Sequence, residues 1–150
     1  MDGLRARVPG VRIVLFGAPS DRAGLEQLDR QAGARSEIVT GSLREFRERL
    51  RDVDLLVGLD SFSVHLANSQ GVPAMVLVGP NDPRLFTPPG ARAVTSEGHC
   101  LHQPCGGKPK CLGTSFEYAC MRTITSAQVL DKIAAPASAR GYSASKEPIH

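Results

Sequence analysis

Residues 54–83 read DLLVGLDSFSVHLANSQGVPAMVLVGPNDP, and this stretch decides the fold. Its apolar runs predict strands at Val53–Val57 and Ala74–Val78, each short and almost free of polar residues. The residues between them predict a helix over Ser61–Gln70 that is stopped by Gly71. Apolar strands separated by helices indicate a parallel sheet that is covered on both faces.

The preceding residues show the same alternation. They predict strands at Val11–Phe16 and Glu37–Val39 and a helix over Asp21–Gln31. A further amphipathic helix follows Ser42, and Ser42 with Glu45 three residues later has the pattern of a capping box. We therefore predict the α/β class, with a Rossmann-like parallel sheet. Ligands of such sheets bind beyond the carboxyl ends of the strands. The loops concerned are Gly17–Asp21, Thr40–Ser42, Leu59–Ser63 and Gly79–Pro83.

The residue composition of the chain changes after Pro83. Prolines and glycines from Pro88 onward predict irregular structure through a cysteine-rich insert at 99–121. A last helix is predicted at Thr125–Ile133, and the small, polar tail 135–150 is predicted to be disordered. We expect one domain over residues 1–134.

Bulk properties exclude several functional classes. The 150 residues carry a formal net charge of +3, which suits an anionic small ligand or surface but is no nucleic-acid signature. No apolar stretch of about 18 residues is present, so no transmembrane segment is expected. The first ten residues lack the apolar run of a signal peptide, which favours a cytoplasmic protein.

The chemistry is concentrated around Asp60. A strand delivers Asp60 to the sheet edge, and Ser61 follows as a natural N-cap of the next helix. Unpaired amides of the first helical turn, with the helix dipole behind them, form an anion site suited to phosphate. His65 lies one turn further along and can face the same site. An equally weighted alternative is that Asp60 and Ser61 only cap a helix and that His65 is an ordinary half-buried histidine.

The same stretch resembles the signature of glycosyltransferase family 9, the heptosyltransferases. That signature has Asp-Ser-Gly followed by a histidine and an alanine, then Gly-x-Pro, a strand, and Gly-Pro-Thr/Ser-x-Pro. The resemblance covers roughly Val11–Ile133. The positions that fit are Asp60, Ser61, His65, Leu66, Ala67, Gly71, Pro73, Gly79, Pro80, Asp82 and Pro83.

The resemblance implies a GT-B enzyme with two Rossmann-like halves, of which this chain matches the C-terminal, donor-binding half. The implied partner is a nucleotide-sugar similar to ADP-heptose. Asp60 would contact the sugar, while Ser61 and the backbone of Phe62 and Ser63 would hold the diphosphate. His65 would lie close to the phosphate or the sugar.

Three further residues take nucleotide-binding roles through the resemblance. Thr40 and Ser42 would lie near the base, and Asp21 would reach the ribose hydroxyls. Phe62 departs from the family, which has glycine there so that a backbone can approach the phosphate closely. The phenylalanine would narrow the pocket, stack on the ligand or turn outward.

Four cysteines form a separate cluster, spaced C-x4-C-x5-C-x8-C: Cys100, Cys105, Cys111 and Cys120. Four thiolates within 21 residues suit a tetrahedral structural Zn or Fe ion, although no C-x2-C pair of a zinc finger is present. Relatives similar to autotransporter heptosyltransferases form an iron-binding finger at this place. Unliganded thiols and disulfides remain open, and His99 and His102 are spare ligands.

The resemblance also limits what the chain does alone. Donor transfer in a GT-B enzyme normally needs no catalytic metal, and the general base for the acceptor is expected in an N-terminal half. We therefore expect no turnover from this chain alone, and an acceptor such as lipopolysaccharide at the inner membrane. The alternatives are a non-catalytic nucleotide-sugar-binding module, an epimerase of GT-B shape, and a metal-stabilised interaction domain.

Overall fold

A computed structural model describes residues 1–96, 100, 102–106 and 108–134. It is a mixed α/β protein whose strands are all parallel, which confirms the predicted class and its Rossmann-like character. The helices are α1 (Asp2–Arg7), α2 (Arg22–Gln31), α3 (Leu43–Leu50), α4 (Phe62–Ser69), α5 (Pro83–Phe86), α6 (Ala119–Arg122) and α7 (Ser126–Ala134). The strands are β1 (Val14–Gly17), β2 (Glu37–Thr40), β3 (Leu56–Leu59), β4 (Ala74–Val78) and β5 (Arg92–Thr95).

The chain divides into two compact units, Met1–Asp52 and Val53–His150. In the first unit β1 pairs with β2 in a two-stranded sheet, with Val14 opposite Glu37 and Gly17 opposite Thr40. Most residues of the two strands are half-buried, on both faces of the sheet. Its packing includes an edge-to-face contact between the rings of Phe16 and Phe46, with centroids 5.0 Å apart.

The second unit contains a three-stranded sheet in the order β3-β4-β5. The central strand β4 is covered on both faces, because the successive side chains Met75 and Val76 are both fully buried. Helix α4 packs closely on the sheet: a Cβ added to Gly58 of β3 would lie 3.2 Å from Cγ1 of Val64. The core of the described chain is therefore centred on β4 and α4.

Helix α4 ends where the sequence predicts. Gly71 adopts the left-handed conformation with φ +71°, which glycine reaches without a Cβ penalty. The amide of Val72 then donates to the carbonyl of Ala67 at 2.9 Å, the bond that closes a Schellman motif. The helix thus ends within a few residues, and the chain continues directly into β4. Because β4 runs parallel to β3, the carboxyl ends of the two strands lie at the same edge of the sheet.

Two predictions in this unit need correction. Strand β3 begins at Leu56, three residues later than predicted, and it lies at an edge of its sheet, so Val57 and Leu59 remain exposed. The strand that precedes Asp60 is therefore not a buried one.

The second correction concerns the region after Pro83, where the structure contains α5, β5 and α6 in place of wholly irregular chain. Strand β5 pairs with β4, and Lys132 of α7 donates from Nζ to the carbonyl of Ala93 at 2.8 Å. The tail 135–150 lies outside the described residues, and the prediction of one domain over 1–134 stays a prediction.

Candidate functional site

Asp60 stands directly after β3, at the carboxyl end of the strand, with its side chain only 13% exposed. Its two carboxylate oxygens face different neighbours. Oδ2 accepts a hydrogen bond from Nδ2 of Asn81 at 2.6 Å, and Oδ1 lies 3.7 Å from Nε2 of His65. His65 is about half exposed, so the pair opens to solvent on the histidine side. The structure thus brings together Asp60 and His65 and adds Asn81 to them.

The start of α4 follows at once. Ser61 is the N-cap residue with extended backbone, φ −152° and ψ 172°, but its hydroxyl makes no cap hydrogen bond. The hydroxyl lies instead 2.9 Å from that of Ser63. Among the described residues, the amides of Phe62 and Ser63 have no hydrogen-bond partner, whereas that of Val64 donates to the carbonyl of Ser61. Two amides and two hydroxyls are therefore available to an anion at this helix start.

Phe62 occupies the first turn of α4 and is 57% exposed. It does not contribute to the core, which α4 reaches instead through the fully buried Val64 and Ala67. A large apolar ring thus stands in solvent next to the unpaired amides. The role of this ring stays a prediction, with stacking on a ligand and obstruction of the pocket as the alternatives.

The turn after β4 supplies the residue that sequence reasoning missed. Asn81 lies 21 positions from Asp60, and the two meet because β3 and β4 are neighbours whose carboxyl ends share one edge. The signal was present, since the loop Gly79–Pro83 was predicted to border the same crevice. Asp82 in that loop has a local role: it caps α5, and the side-chain hydrogen bond from Arg84 holds its pKa below the usual value.

Thr40 and Ser42, which are predicted to bind the nucleotide base, lie at the end of β2 and just after it. Thr40 is the last residue of the strand and lines a cleft of about 320 Å³. Ser42 caps α3 as predicted: its hydroxyl accepts from the amide of Glu45, and the Glu45 carboxylate accepts from the amide of Ser42 at 2.7 Å. That backbone hydrogen bond, aided by the Ser42 hydroxyl, lowers the pKa of Glu45. The cleft is lined by Arg22, Ile38, Val39, Thr40, Gly41, Glu45, Glu48 and Arg49.

Asp21 follows β1 and ends a short 3-10 turn, Pro19–Asp21. Its carboxylate accepts a hydrogen bond from the amide of Ala18 at 2.8 Å, which satisfies the turn locally. Asp21 is exposed and is not among the residues that line the cleft. The structure therefore gives Asp21 a capping contact, and its reach to a ribose stays a prediction.

The four cysteines are all free thiols; Cys111 and Cys120 are buried, and Cys100 and Cys105 are partly buried. Burial raises the pKa of the Cys120 thiol, and the charges of the other three cysteines raise it further. The four sulfurs are therefore near enough to interact electrostatically. In the part of the chain that the structure describes, however, no three His, Cys, Asp or Glu side chains have the geometry to hold a metal ion. His102 is exposed, and His99 lies outside the described residues.

Parallel strands joined by helices, with polar residues at the strand ends, define this protein as a Rossmann-like α/β protein. The family model of glycosyltransferase family 9 (heptosyltransferase) matches residues 5–115, and the chain belongs to this family. The crystal structure of the glycosyl transferase family 9 from Veillonella parvula is similar, with 30% identity and a TM-score of 0.51.

The similarity covers 57% of this chain and 25% of the Veillonella chain, so this chain spans a quarter of that relative's length. A comparison with curated proteins found no match. Within the described residues, no helix is long and apolar enough to cross a membrane.

Proposed function

We propose that this chain binds the nucleotide-sugar donor of a family 9 glycosyltransferase, a compound similar to ADP-heptose, at the edge formed by Asp60 and the start of α4. One observation carries the proposal: an oriented, largely buried carboxylate stands immediately beside two unpaired helix-terminal amides. A diphosphate needs the amides, and a sugar hydroxyl needs the carboxylate as hydrogen-bond acceptor.

Each residue then has a defined task in the transfer. An acceptor hydroxyl oxygen forms a bond to the anomeric carbon while the bond between that carbon and the diphosphate oxygen breaks. The electron pair of the broken bond leaves with the diphosphate, and the hydroxyl proton goes to a general base. The amides of Phe62 and Ser63, with the hydroxyls of Ser61 and Ser63, stabilise the charge that develops on the leaving group. Asp60 orients the sugar through its hydroxyls, and His65 donates to a phosphate or sugar oxygen. No step calls for a catalytic metal ion.

Isothermal titration calorimetry tests this proposal, with ADP and ADP-heptose compared with UDP and GDP sugars. We expect saturable binding of the ADP compounds that is lost in Asp60→Ala and strongly weakened in His65→Ala. Asp54→Ala and His102→Ala are matched controls, because both residues are exposed and lie outside the site. Unchanged affinity in Asp60→Ala, or no binding by folded wild-type protein, would overturn the proposal.

The nucleotide base and ribose are assigned separately. We infer that Thr40 and Ser42 contact the base and that Asp21 contacts the ribose. For Thr40, the assignment is supported by the cleft that this residue lines at the carboxyl end of β2. Two arginines and two glutamates line this cleft, which suits hydrogen bonding to a polar heterocycle. Thr40→Val should weaken binding of ADP while leaving the fold intact, and equal affinity would contradict the assignment.

Turnover is expected to need more than this chain. An acceptor hydroxyl must lose a proton to a general base, and the groups at the start of α4 are those that hold the donor. We propose that the chain alone transfers no sugar to a lipid A–core acceptor, and that the whole enzyme acts in the cytoplasm at the inner membrane. A turnover assay with the donor and that acceptor tests this, and robust activity would refute it. The acceptor could equally be another glycan or a protein.

A non-catalytic nucleotide-sugar-binding module is the second candidate. It shares the donor site and differs only in having no transferase partner. Donor binding together with a failure of any added acceptor half to restore turnover would favour it. A metal-stabilised interaction domain, by contrast, predicts cysteine-dependent folding with no nucleotide affinity.

The cysteines are proposed to hold a structural Zn or Fe ion. Four free thiols within 21 residues support this, because thiolates are the ligands that structural zinc and iron sites use. The described side chains would have to close further around the ion, so no catalytic step is assigned to it. Metal analysis of protein purified without a nickel column is the test, and the absence of a stoichiometric metal would overturn the proposal.

A further inference from the structure

The short turn after β4, residues Gly79–Asn81, connects the cysteine-rich insert 99–121 (the cysteine segment) to the candidate site. Asn81 at its end donates to Asp60 at 2.6 Å, so the position of the Asn81 amide decides where one carboxylate oxygen of Asp60 points. The two residues before it, Gly79 and Pro80, belong to no helix or strand. Their position must therefore be fixed by contacts with other segments.

Residues 103–106 supply those contacts on one side. Nε2 of Gln103 donates to the carbonyl of Gly79 at 2.6 Å. The amides of Cys105 and Gly106 both donate to the carbonyl of Pro80, at 2.9 and 3.0 Å. Both carbonyls that precede Asn81 are thus held by one four-residue piece of the cysteine segment.

Gln103 is itself held in a single orientation. Its amide oxygen accepts from the hydroxyl of Ser96 at 3.1 Å, and Ser96 is buried just after β5. Because the Gly79 carbonyl can only accept, the nitrogen end of the Gln103 amide must face it, and the oxygen end accepts from Ser96. The donor and the acceptor of this part-buried amide are both satisfied, which makes the arrangement costly to change.

The opposite side of the turn faces α6. A Cβ added to Gly79 would lie 2.6 Å from Sδ of Met121 and 3.8 Å from Sγ of Cys120. A Cβ at position 79 would therefore force the Met121 side chain to move. The turn is therefore enclosed between the two ends of the cysteine segment, with Gln103 and Cys105 on one side and α6 on the other.

We propose that Asn81 is a positioning residue for Asp60, and that Gln103 of the cysteine segment holds Asn81 in place. The role in donor binding rests on the proposed function, whereas the coupling itself is a property of the free protein. Misplacement of a group by about 1 Å is enough to weaken an oriented interaction severely. Loosening the turn therefore changes Asp60 without altering any residue that touches it.

NMR spectroscopy of the free protein tests the coupling directly. Gln103→Leu removes the donor to Gly79 yet lies outside contact with Asp60 and His65. We expect shifted resonances at both residues in Gln103→Leu and in Asn81→Ala, and smaller shifts in Asn81→Ser, which retains a donor hydroxyl. Gln27→Leu, the same substitution at an exposed position of α2, is the matched control and should leave them unchanged. Unaltered Asp60 and His65 resonances in folded Asn81→Ala would overturn the proposal.

Calorimetry then separates this proposal from the donor-binding one. With ADP-heptose we expect about tenfold weaker binding in Asn81→Ala, which loses its hydrogen bond to the charged Asp60 carboxylate. We expect a smaller loss in Gln103→Leu, which loses a hydrogen bond to a neutral carbonyl, and partial recovery in Asn81→Ser. If wild-type protein binds no nucleotide sugar while the resonances shift, donor binding fails and the positioning role stands. If wild-type protein binds and the variants bind equally well, the positioning role fails alone.

Discussion

Phe62 is an exposed aromatic residue in the first turn of α4, and its ring stands beside the unpaired amides of that helix. If the ring obstructs the approach to these amides, we expect Phe62→Gly to bind ADP-heptose at least as tightly as wild type. Phe62→Ala controls for the helix, since glycine costs about 1 kcal/mol more than alanine in a helix. Weaker binding by both variants in calorimetry would show that the ring contributes to binding.

In the metal-free protein, Cys120 should be the slowest of the four thiols to react. Burial raises its pKa, so the reactive thiolate is scarcer than at an ordinary cysteine at the same pH. A raised folded-state pKa also means that its contribution to stability is intact below the unfolded value and is lost as the pH rises through the folded one. Labelling with iodoacetamide at pH 7.5, followed by mass spectrometry, should modify Cys100 and Cys105 first. Early labelling of Cys120 in folded protein would contradict this.

Individual site residues were predictable to different degrees. Asp60, Ser61 and His65 follow from a strand, a turn and a helix that are local in sequence, so their placement could be predicted. Asn81 could be assigned only to a loop, because its hydrogen bond to Asp60 depends on the pairing of β3 with β4. The sequence did not reveal that the Ser61 hydroxyl pairs with the Ser63 hydroxyl. A serine that caps the helix amides and a serine that pairs with another hydroxyl have the same local sequence pattern.

Helix α3 offers a test at the level of one element. Ser42→Ala removes the hydroxyl that accepts from the amide of Glu45 and should destabilise the protein by about 1 kcal/mol in urea unfolding. The pKa of Glu45 should stay lowered, because its larger cause is the backbone amide of Ser42, which alanine retains. The contribution of Glu45 to stability is present above its unfolded pKa and is lost as the pH falls through the lowered one. An NMR titration that returned Glu45 to its ordinary pKa in this variant would contradict the assignment.

The elements show why some boundaries were predictable. Strand β4 occupies the predicted residues Ala74–Val78. A strand that is buried on both faces reads as a continuous apolar run, so its ends are visible in the sequence. Strand β3 was misplaced because Val53 and Leu55 are as apolar as the residues that pair. Strand β5 was missed, since the prolines and glycine before Arg92 suggested that the loop continued. The strand forms because its backbone pairs with β4, and this pairing is not visible in the local sequence.

At the scale of the whole molecule, stability should depend chiefly on the layers around β4. Met75 is fully buried, so Met75→Ala should lower the free energy of unfolding of the second unit by about 2–5 kcal/mol through a cavity. Val57→Ala on the exposed side of β3 is the control and should cost far less. Equal effects of the two substitutions in denaturant unfolding would show that β4 is not the centre of the core.

Both ends of the cysteine segment contact the turn at Gly79, so the segment should tolerate an insertion between its ends. Residues 103–106 and α6 meet at the same turn, so the stretch between them leaves and returns to one place. Such a closed loop can change in length at its tip without moving its ends. A short peptide inserted after the exposed Ser115 should therefore be accommodated, and the segment is a suitable place to attach a label to the protein.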